Sequence, residues 1–251
     1  MDEIEIISFE NQKEPFPLHF HKEYCISLIR KGTEVIQIKD KKFIGHTNTI
    51  TITHPYELHA NPLFSLTNLL SFDTLYLNIE TFKALAPNHQ LVYFNNRIIQ
   101  NKTIQQAFNQ LTLIRNTQEK QQQLQKFLSL FISCSDHNNN YQPRLPLQNW
   151  DLLEKYVDTH IKDSFNLEAL ANELNINKFS LARKFKKTTG LSPIHYVLMK
   201  KIFHSKDRIV KGVSITDLAY DYNFTDIAHF SKLFKKFIGI SPTKYRDHFT
   251  P

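Results

Sequence analysis

Two periods divide the chain. Over the first seventy-odd residues apolar and polar positions alternate, and three segments rich in Ile, Val and Thr stand out: Tyr24–Ile29, Glu34–Ile38 and Thr49–Thr53. Thr-Ile-Thr-Ile-Thr at 49–53 alternates strictly, as a half-buried strand does. Lys31-Gly32 and Lys39-Asp40-Lys41-Lys42 read as hairpin turns, and a further strand is predicted over Thr74–Leu77. After Glu80 the apolar spacing becomes helical. Ile104, Phe108 and Leu111, continuing to Ile114–Arg115, form one stripe, with Asn101 or Thr103 as its cap. Leu124, Phe127, Leu128 and Phe131 form another, and the two helices join near Asn116. Both stripes are expected to cover the sheet; the alternative is that one makes a dimer interface. Ser133–Pro146 is polar, Asn-rich and carries two prolines, which marks a linker. The predicted division is therefore 1–80 sheet domain, 81–132 helical segment, 133–148 linker and 149–251 helical domain.

The helical domain contains a repeat. Phe185-Lys-Lys-Thr-Thr-Gly190-Leu-Ser-Pro193-Ile-His-Tyr196 recurs as Phe234-Lys-Lys-Phe-Ile-Gly239-Ile-Ser-Pro242-Thr-Lys-Tyr245, displaced by 49. Upstream, Leu170-Ala171 matches Leu218-Ala219 with a displacement of 48, so the second copy has one more residue between its first two helices. Each copy reads as a short helix (Leu167–Leu174, Ile215–Tyr222), a polar turn (Asn175–Asn177, Asn223–Asp226) and a longer helix ending at Gly190 or Gly239. Those glycines stand where a helix end requires positive φ. Ser192 and Ser241 are placed to cap the helix that follows, with proline in its first turn. Helix, short turn, helix is the grammar of the helix-turn-helix, whose second helix enters the DNA major groove. A single helix over Pro193–Lys211 would join the copies.

Composition changes the picture little and charge changes it more. Apolar residues make up 41% and charged residues 22%, which excludes a disordered or collagenous chain, and no apolar stretch is long enough to span a membrane. The N-terminus Met-Asp-Glu-Ile-Glu lacks the basic start of a secretory signal, and two cysteines make no disulfide framework, so a cytoplasmic location is expected. Of the net +7, residues 1–144 carry +1 (14 basic, 13 acidic) and residues 145–251 carry +6 (17 basic, 11 acidic). The excess positive charge thus lies with the repeat, as an acidic partner such as nucleic acid requires.

Helical spacing assigns the faces. Leu181 and Phe185 point inward in the first copy and Phe230, Phe234 and Phe237 in the second. That leaves Asn177, Lys178, Ser180, Arg183, Lys184 and Lys187, and then Thr225, Asp226, His229, Lys232 and Lys236, for DNA. Polar side chains early in each helix can reach base edges, and later Lys and Arg suit phosphates.

Residues from about Trp150 to Phe249 resemble the AraC/XylS family of bacterial transcription regulators. Leu170-Ala171, Phe185-Lys-Lys, Gly190-Leu-Ser-Pro193, Asn223-Phe224, His229-Phe230-Ser231 and Gly239-Ile-Ser-Pro-Thr-Lys-Tyr245 carry the resemblance. It implies two helix-turn-helix subdomains, sequence-specific binding of double-stranded promoter DNA and activation through RNA polymerase. The chain departs from the family at four places. Asn223 replaces a glycine, Ile227 stands near a usual Gln, Lys201 replaces an Arg, and Arg208 replaces a buried Leu. Asn tolerates a left-handed turn. Ile227 can meet a thymine methyl or join the phenylalanine stripe, and packing is the favoured reading.

The N-terminal half resembles the cupin-like effector domain that accompanies such regulators. The resemblance rests on His19-x-His21, Gly32, His54-Pro-Tyr-Glu-Leu-His59 and Asp73-Thr-Leu-Tyr76. Asn48 and Tyr56 stand where cupins carry glycine. A strand starting at His19 would put His19, His21, Glu23 and Cys25 on one face. The expected effector-binding residues are His19, His21, Glu23, Tyr24 and His59. Three histidines and a carboxylate on that face could alternatively bind a divalent metal, or the histidines could be buried structural residues; Cys25 falls where metal-binding cupins hold a Glu, which counts against a metal, and no cofactor is expected. The predicted fold is α+β, a cupin-like β-barrel with trailing helices followed by an all-α domain. The function expected is a non-enzymatic, homodimeric regulator controlled by a small molecule; the alternatives are a ligand-independent DNA-binding regulator whose barrel only dimerises and a metal-dependent cupin enzyme with a DNA-binding tail.

Overall fold

The structure, a computed structural model, describes residues 5–86, 90–114, 116–136 and 149–249. It divides into two compact units, residues 1–15 with 20–144, and residues 145–251 together with Phe16–His19. The predicted linker lies largely outside the described residues, which resume at Asn149.

Among the described residues nine strands form the two sheets of the N-terminal half: β1 Glu5–Gln12, β2 Phe16–His19, β3 Tyr24–Lys31, β4 Thr33–Ile38, β5 Lys41–His46, β6 Ile50–Thr53, β7 His59–Asn61, β8 Leu70–Leu77 and β9 Ile98–Ile99. One sheet runs β1-β8-β3-β6-β9 and the other β2-β7-β4-β5. Strand β3 is central, antiparallel to β8 (Ile26 opposite Leu75) and to β6 (Ile26 opposite Ile52). This register collects Tyr24, Ile26, Leu28, Ile50, Ile52, Leu75 and Leu77 on one face of the larger sheet. Helices α1 Ile79–Leu85, α2 Lys102–Leu113 and α3 Thr117–Ile132 lie over that face. Leu111, Leu124, Phe127, Leu128 and Phe131 are all fully buried in the same core. Both apolar stripes are thus used in covering the sheet, and an intermolecular contact would have to use other faces. Asn101 and Asn116 cap α2 and α3, each accepting two backbone N–H bonds on its side chain.

The strand predicted from His19 does not form as one piece. Strand β2 ends at His19 and β3 begins at Tyr24, so residues 20–23 connect two sheets instead of running along one. Lys41 and Lys42 belong to β5, which confines that turn to Lys39 and Asp40, with Lys39 at φ 52°. Asn48 (φ 62°) and Tyr56 (φ 58°), where similar domains have glycine, keep the left-handed backbone without it.

Seven helices make the C-terminal unit: α4 Trp150–Thr159, α5 Leu167–Glu173, α6 Lys178–Thr189, α7 Pro193–Val210, α8 Ile215–Asp221, α9 Ile227–Ile238 and α10 Pro242–Phe249. The repeat appears twice in space. Asn175 (φ 52°) and Asn223 (φ 53°) make the left-handed residue of each turn, and Gly190 (φ 70°) and Gly239 (φ 91°) end the long helices. Four residues separate α5 from α6 and five separate α8 from α9, which locates the extra residue of the second copy within its turn.

Candidate nucleic-acid interface and ligand chamber

Helices α6 and α9 each present one apolar and one polar face. Leu181, Phe185 and Thr189 are buried on α6, and Phe230, Phe234, Phe237 and Ile238 on α9. Opposite them Arg183, Lys184 and Lys187 are exposed on α6, and Lys232 and Lys236 on α9; Lys178, Ser180 and His229 are partly covered. Two of the expected DNA-contacting residues also have a local role. The side chain of Asn177 accepts the N–H groups of Phe179 and Ser180, and that of Asp226 accepts the N–H of His229, so both are helix N-caps. Exposed Thr225 lies beside them, its hydroxyl 3.4 Å from His229 Nδ1. Lys178 pairs with Glu168 at 2.8 Å across the turn, an exposed contact that a phosphate can displace.

Ile227 is not part of the buried stripe: it is 39% exposed at the start of α9. By the 3.6-residue period it shares the face of Phe230 and Phe234, but as the first residue of α9 it stands at the end of that stripe, where the core no longer covers it. Phe179, absent from the expected interface, is 69% exposed in the first turn of α6. Its signal in the sequence was a phenylalanine outside the Leu181–Phe185 stripe. Phenylalanine can contact a thymine methyl.

Helix α7 holds the two copies together. Lys201, buried, donates from Nζ to the carbonyls of Asp163 and Tyr222, both at 2.7 Å. Asp163 lies between α4 and α5, and Tyr222 is the C-cap of α8. One ammonium therefore ties both helix-turn-helix subdomains to the linker. Burial lowers the Lys201 pKa, and the Asp163 charge opposes that shift. Arg208, where the family packs a Leu, reaches Asp221 at 2.6 Å and lies over the Tyr222 ring. At 1.5 Å per residue the 18 residues of α7 span about 27 Å. Successive major grooves on one face of DNA are about 34 Å apart.

In the N-terminal sheets the residue set divides. Tyr24 does not face the space between the sheets. It stacks on Phe82 with ring centroids 4.4 Å apart, and its hydroxyl donates to the Val92 carbonyl at 2.8 Å. As the first residue of β3 it shares the helix-covered face with Ile26, since alternation puts it opposite Cys25. Glu23 is half-buried outside any strand. His19, His21 and His59 are all buried, and one ring nitrogen from each lies within 4.8 Å of the others. His19 Nδ1 is 2.6 Å from the Pro17 carbonyl and His59 Nδ1 is 2.8 Å from the Glu57 carbonyl. Each Nδ1 therefore carries the proton, and each Nε2 keeps its lone pair. Burial holds the His59 pKa down, so the ring is neutral. Among the described residues these three are the ones able to hold a metal.

His54 and Glu57 do structural work beside them. The Phe94 N–H donates to His54 Nε2 at 3.0 Å, so Nδ1 carries the ring proton and donates to Glu57 at 3.1 Å. Arg97 completes the group at 2.6 Å from Glu57 and lies over the Tyr93 ring. Burial pushes the Glu57 pKa up, but the His54 hydrogen bond and the Arg97 charge outweigh it and hold it at about 2. A folded value below the ordinary 4.5 means stability that is present above about pH 4.5 and lost as pH falls toward 2. Urea unfolding at pH 7, 4.5 and 3 should show that loss in the wild type. Glu57→Gln should show a shallower slope between pH 4.5 and 3; equal slopes would contradict the assignment.

The face of the larger sheet turned away from the helices is mixed: Ile7, Ile29 and Phe72 share it with Ser27, Thr51 and Thr74. Ser27 and Thr74 share a 2.7 Å hydrogen bond there. Thr51 donates to Glu34 Oε2 at 2.6 Å and Asn61 donates to Glu34 Oε1 at 2.9 Å, which bridges the two sheets. Glu34 was missed in the sequence, where it reads as one polar position of an alternating strand.

Together these features define a ligand-binding sheet domain joined to a double helix-turn-helix. A family model of the AraC-like ligand binding domain matches residues 3–61, and a model of a helix-turn-helix domain matches residues 170–248. The chain belongs to the AraC family of transcription regulators, with a ligand-binding domain before its DNA-binding domain. It is 25% identical to the HTH-type transcriptional activator RhaS of Escherichia coli O1:K1 over 252 residues, covering 92% of this chain and 88% of RhaS. Its fold is similar to that of apo ToxT from Vibrio cholerae strain SCE256 (TM-score 0.68, 16% identity, 98% of each chain). It is similar also to ToxT with bound unsaturated fatty acid from the same strain (TM-score 0.67, 15% identity, 98% of this chain and 95% of that one). No helix among the described residues is long and apolar enough to cross a membrane.

Proposed function

We propose that this protein is a cytoplasmic, non-enzymatic transcription activator that acts as a homodimer. A small molecule held between its N-terminal sheets changes the occupancy of promoter DNA by α6 and α9, and RNA polymerase is the downstream partner. One observation carries the reading: two helix-turn-helix units with matching turns and caps sit on one linker helix, with basic side chains exposed on both second helices. The similarity to an activator over most of both chains supports it. Ligand control requires unequal affinity of the ligand for two states.

Retention of fragmented genomic DNA at near-physiological salt, followed by sequencing, tests the function. Discrete peaks near promoters support it; uniform, salt-labile retention would mean only the electrostatic component is present and would contradict it. On a retained site, Arg183→Ala should lower affinity by about 10–100-fold if it reads a base. Lys187→Ala should weaken all sequences alike and reduce the salt slope by about one. Neither should change stability by more than about 0.5 kcal/mol, because both side chains are exposed. Unchanged affinity in an anisotropy titration would contradict this docking face.

A further inference from the structure

The two faces of strand β3 differ in a way that bears on the ligand. Its helix-facing Tyr24 and Ile26 are 0% exposed, whereas Cys25 and Ser27, facing the other sheet, retain 7% and 6%. Glu34 and Thr53 retain 5% each, and Asn61 and Tyr76 are half-buried. Beside the histidines, these inner walls combine hydroxyls, an amide, a thiol and a phenol with the apolar side chains of Ile7, Ile29, Ile36 and Phe72.

Glu34 is the carboxylate in this lining. Both its oxygens accept hydrogen bonds, from Thr51 and Asn61, and both donors are neutral. No Lys, Arg or His among the described residues is paired with it. An ionised carboxylate buried without a counter-charge is costly, and burial accordingly raises its pKa. The buried carboxylates Glu57 and Asp73, by contrast, have Arg97 and Arg30. The Tyr76 phenol, held protonated by burial and then by the neighbouring Cys25 and acidic charges, adds an aromatic wall. A cation entering this space supplies the counter-charge that an ionised Glu34 lacks, beside oxygens that Thr51 and Asn61 already orient.

We propose that the ligand of this chamber is a small organic cation, an ammonium or guanidinium compound, and that Glu34 is the residue that selects it. The inference rests on the reading that the chamber holds the effector, and it names the ligand's chemical class.

The test is thermal unfolding and calorimetric titration of the full chain with methylguanidine, putrescine and agmatine. Sorbitol, oleate and zinc chloride serve as neutral, anionic and metal comparisons. At least one amine or guanidine should bind saturably and raise Tm. Glu34→Gln should weaken it by 30-fold or more, and Thr51→Val, which leaves the carboxylate in place, by less than 5-fold. If Glu34→Gln does not fold, the ranking of the probes on the wild type and on Thr51→Val decides. Preference for sorbitol, oleate or zinc, no binding by any amine or guanidine, or equal binding by Glu34→Gln would overturn the proposal. Genomic DNA retention would stand in all those cases, so failure of the ligand class is distinguishable from failure of the regulator reading.

Discussion

Phe234→Ala is expected to lower the free energy of unfolding by about 3–5 kcal/mol. The ring is fully buried, tilted against Phe230 at 5.9 Å and edge-on to Tyr245 at 5.5 Å. It thus joins the reading helix α9 to α10, across Gly239 and the Ser241-Pro242 start. Removing it leaves a cavity lined by aromatic groups that helix ends fix in place, so little collapse is available. Lys232→Ala, two residues earlier and on the exposed face of the helix, should change stability by no more than about 0.5 kcal/mol. Urea unfolding of the two variants makes the comparison, and a near-neutral Phe234→Ala would break the assignment of the stripe as core.

The second large effect is expected at Lys201. Lys201→Met keeps the stem but removes the ammonium, leaving the Asp163 and Tyr222 carbonyls without the donor they share. Two hydrogen bonds from a charged donor are lost, at about 1.5–3 kcal/mol each, so a loss of about 3 kcal/mol or more is expected. DNA affinity should fall as well, because the two subdomains lose their common tie to α7. Lys201→Arg, the residue the family usually has here, should restore most of both, since a guanidinium offers more donors in a fixed fork. A stability loss under about 1 kcal/mol in Lys201→Met would contradict the role.

The repeat made the C-terminal half legible in advance. Glycine, Ser-Pro and asparagine are local signals, and each reports a backbone requirement that the structure meets at Gly190, Gly239 and Asn223. Ile227 was misread because an apolar residue at the start of a helix can satisfy a stripe by period alone, and only the core decides. In the N-terminal half the strands with β-branched runs were legible. Strands β1, β2, β5 and β7 were not, since short or polar edge strands carry little alternation. Alternation through Cys25 already sets Tyr24 on the face opposite to it, and the helices that cover that face, which the strand pattern does not show, take Tyr24 out of the ligand set. Glu34 was invisible for a different reason: its meaning lies in Thr51 and Asn61, which other strands bring to it.

The central claim is that α6 and α9 read DNA together. Hydroxyl-radical footprinting on a retained genomic fragment tests it most directly. Two protected segments, centred about one helical turn (about 10–10.5 base pairs) apart on one face of the duplex, are the predicted result for each protomer. The second segment should be lost in a variant carrying Lys232→Ala and Lys236→Ala, with the first retained. A single protected segment, or two on opposite faces, would contradict the account.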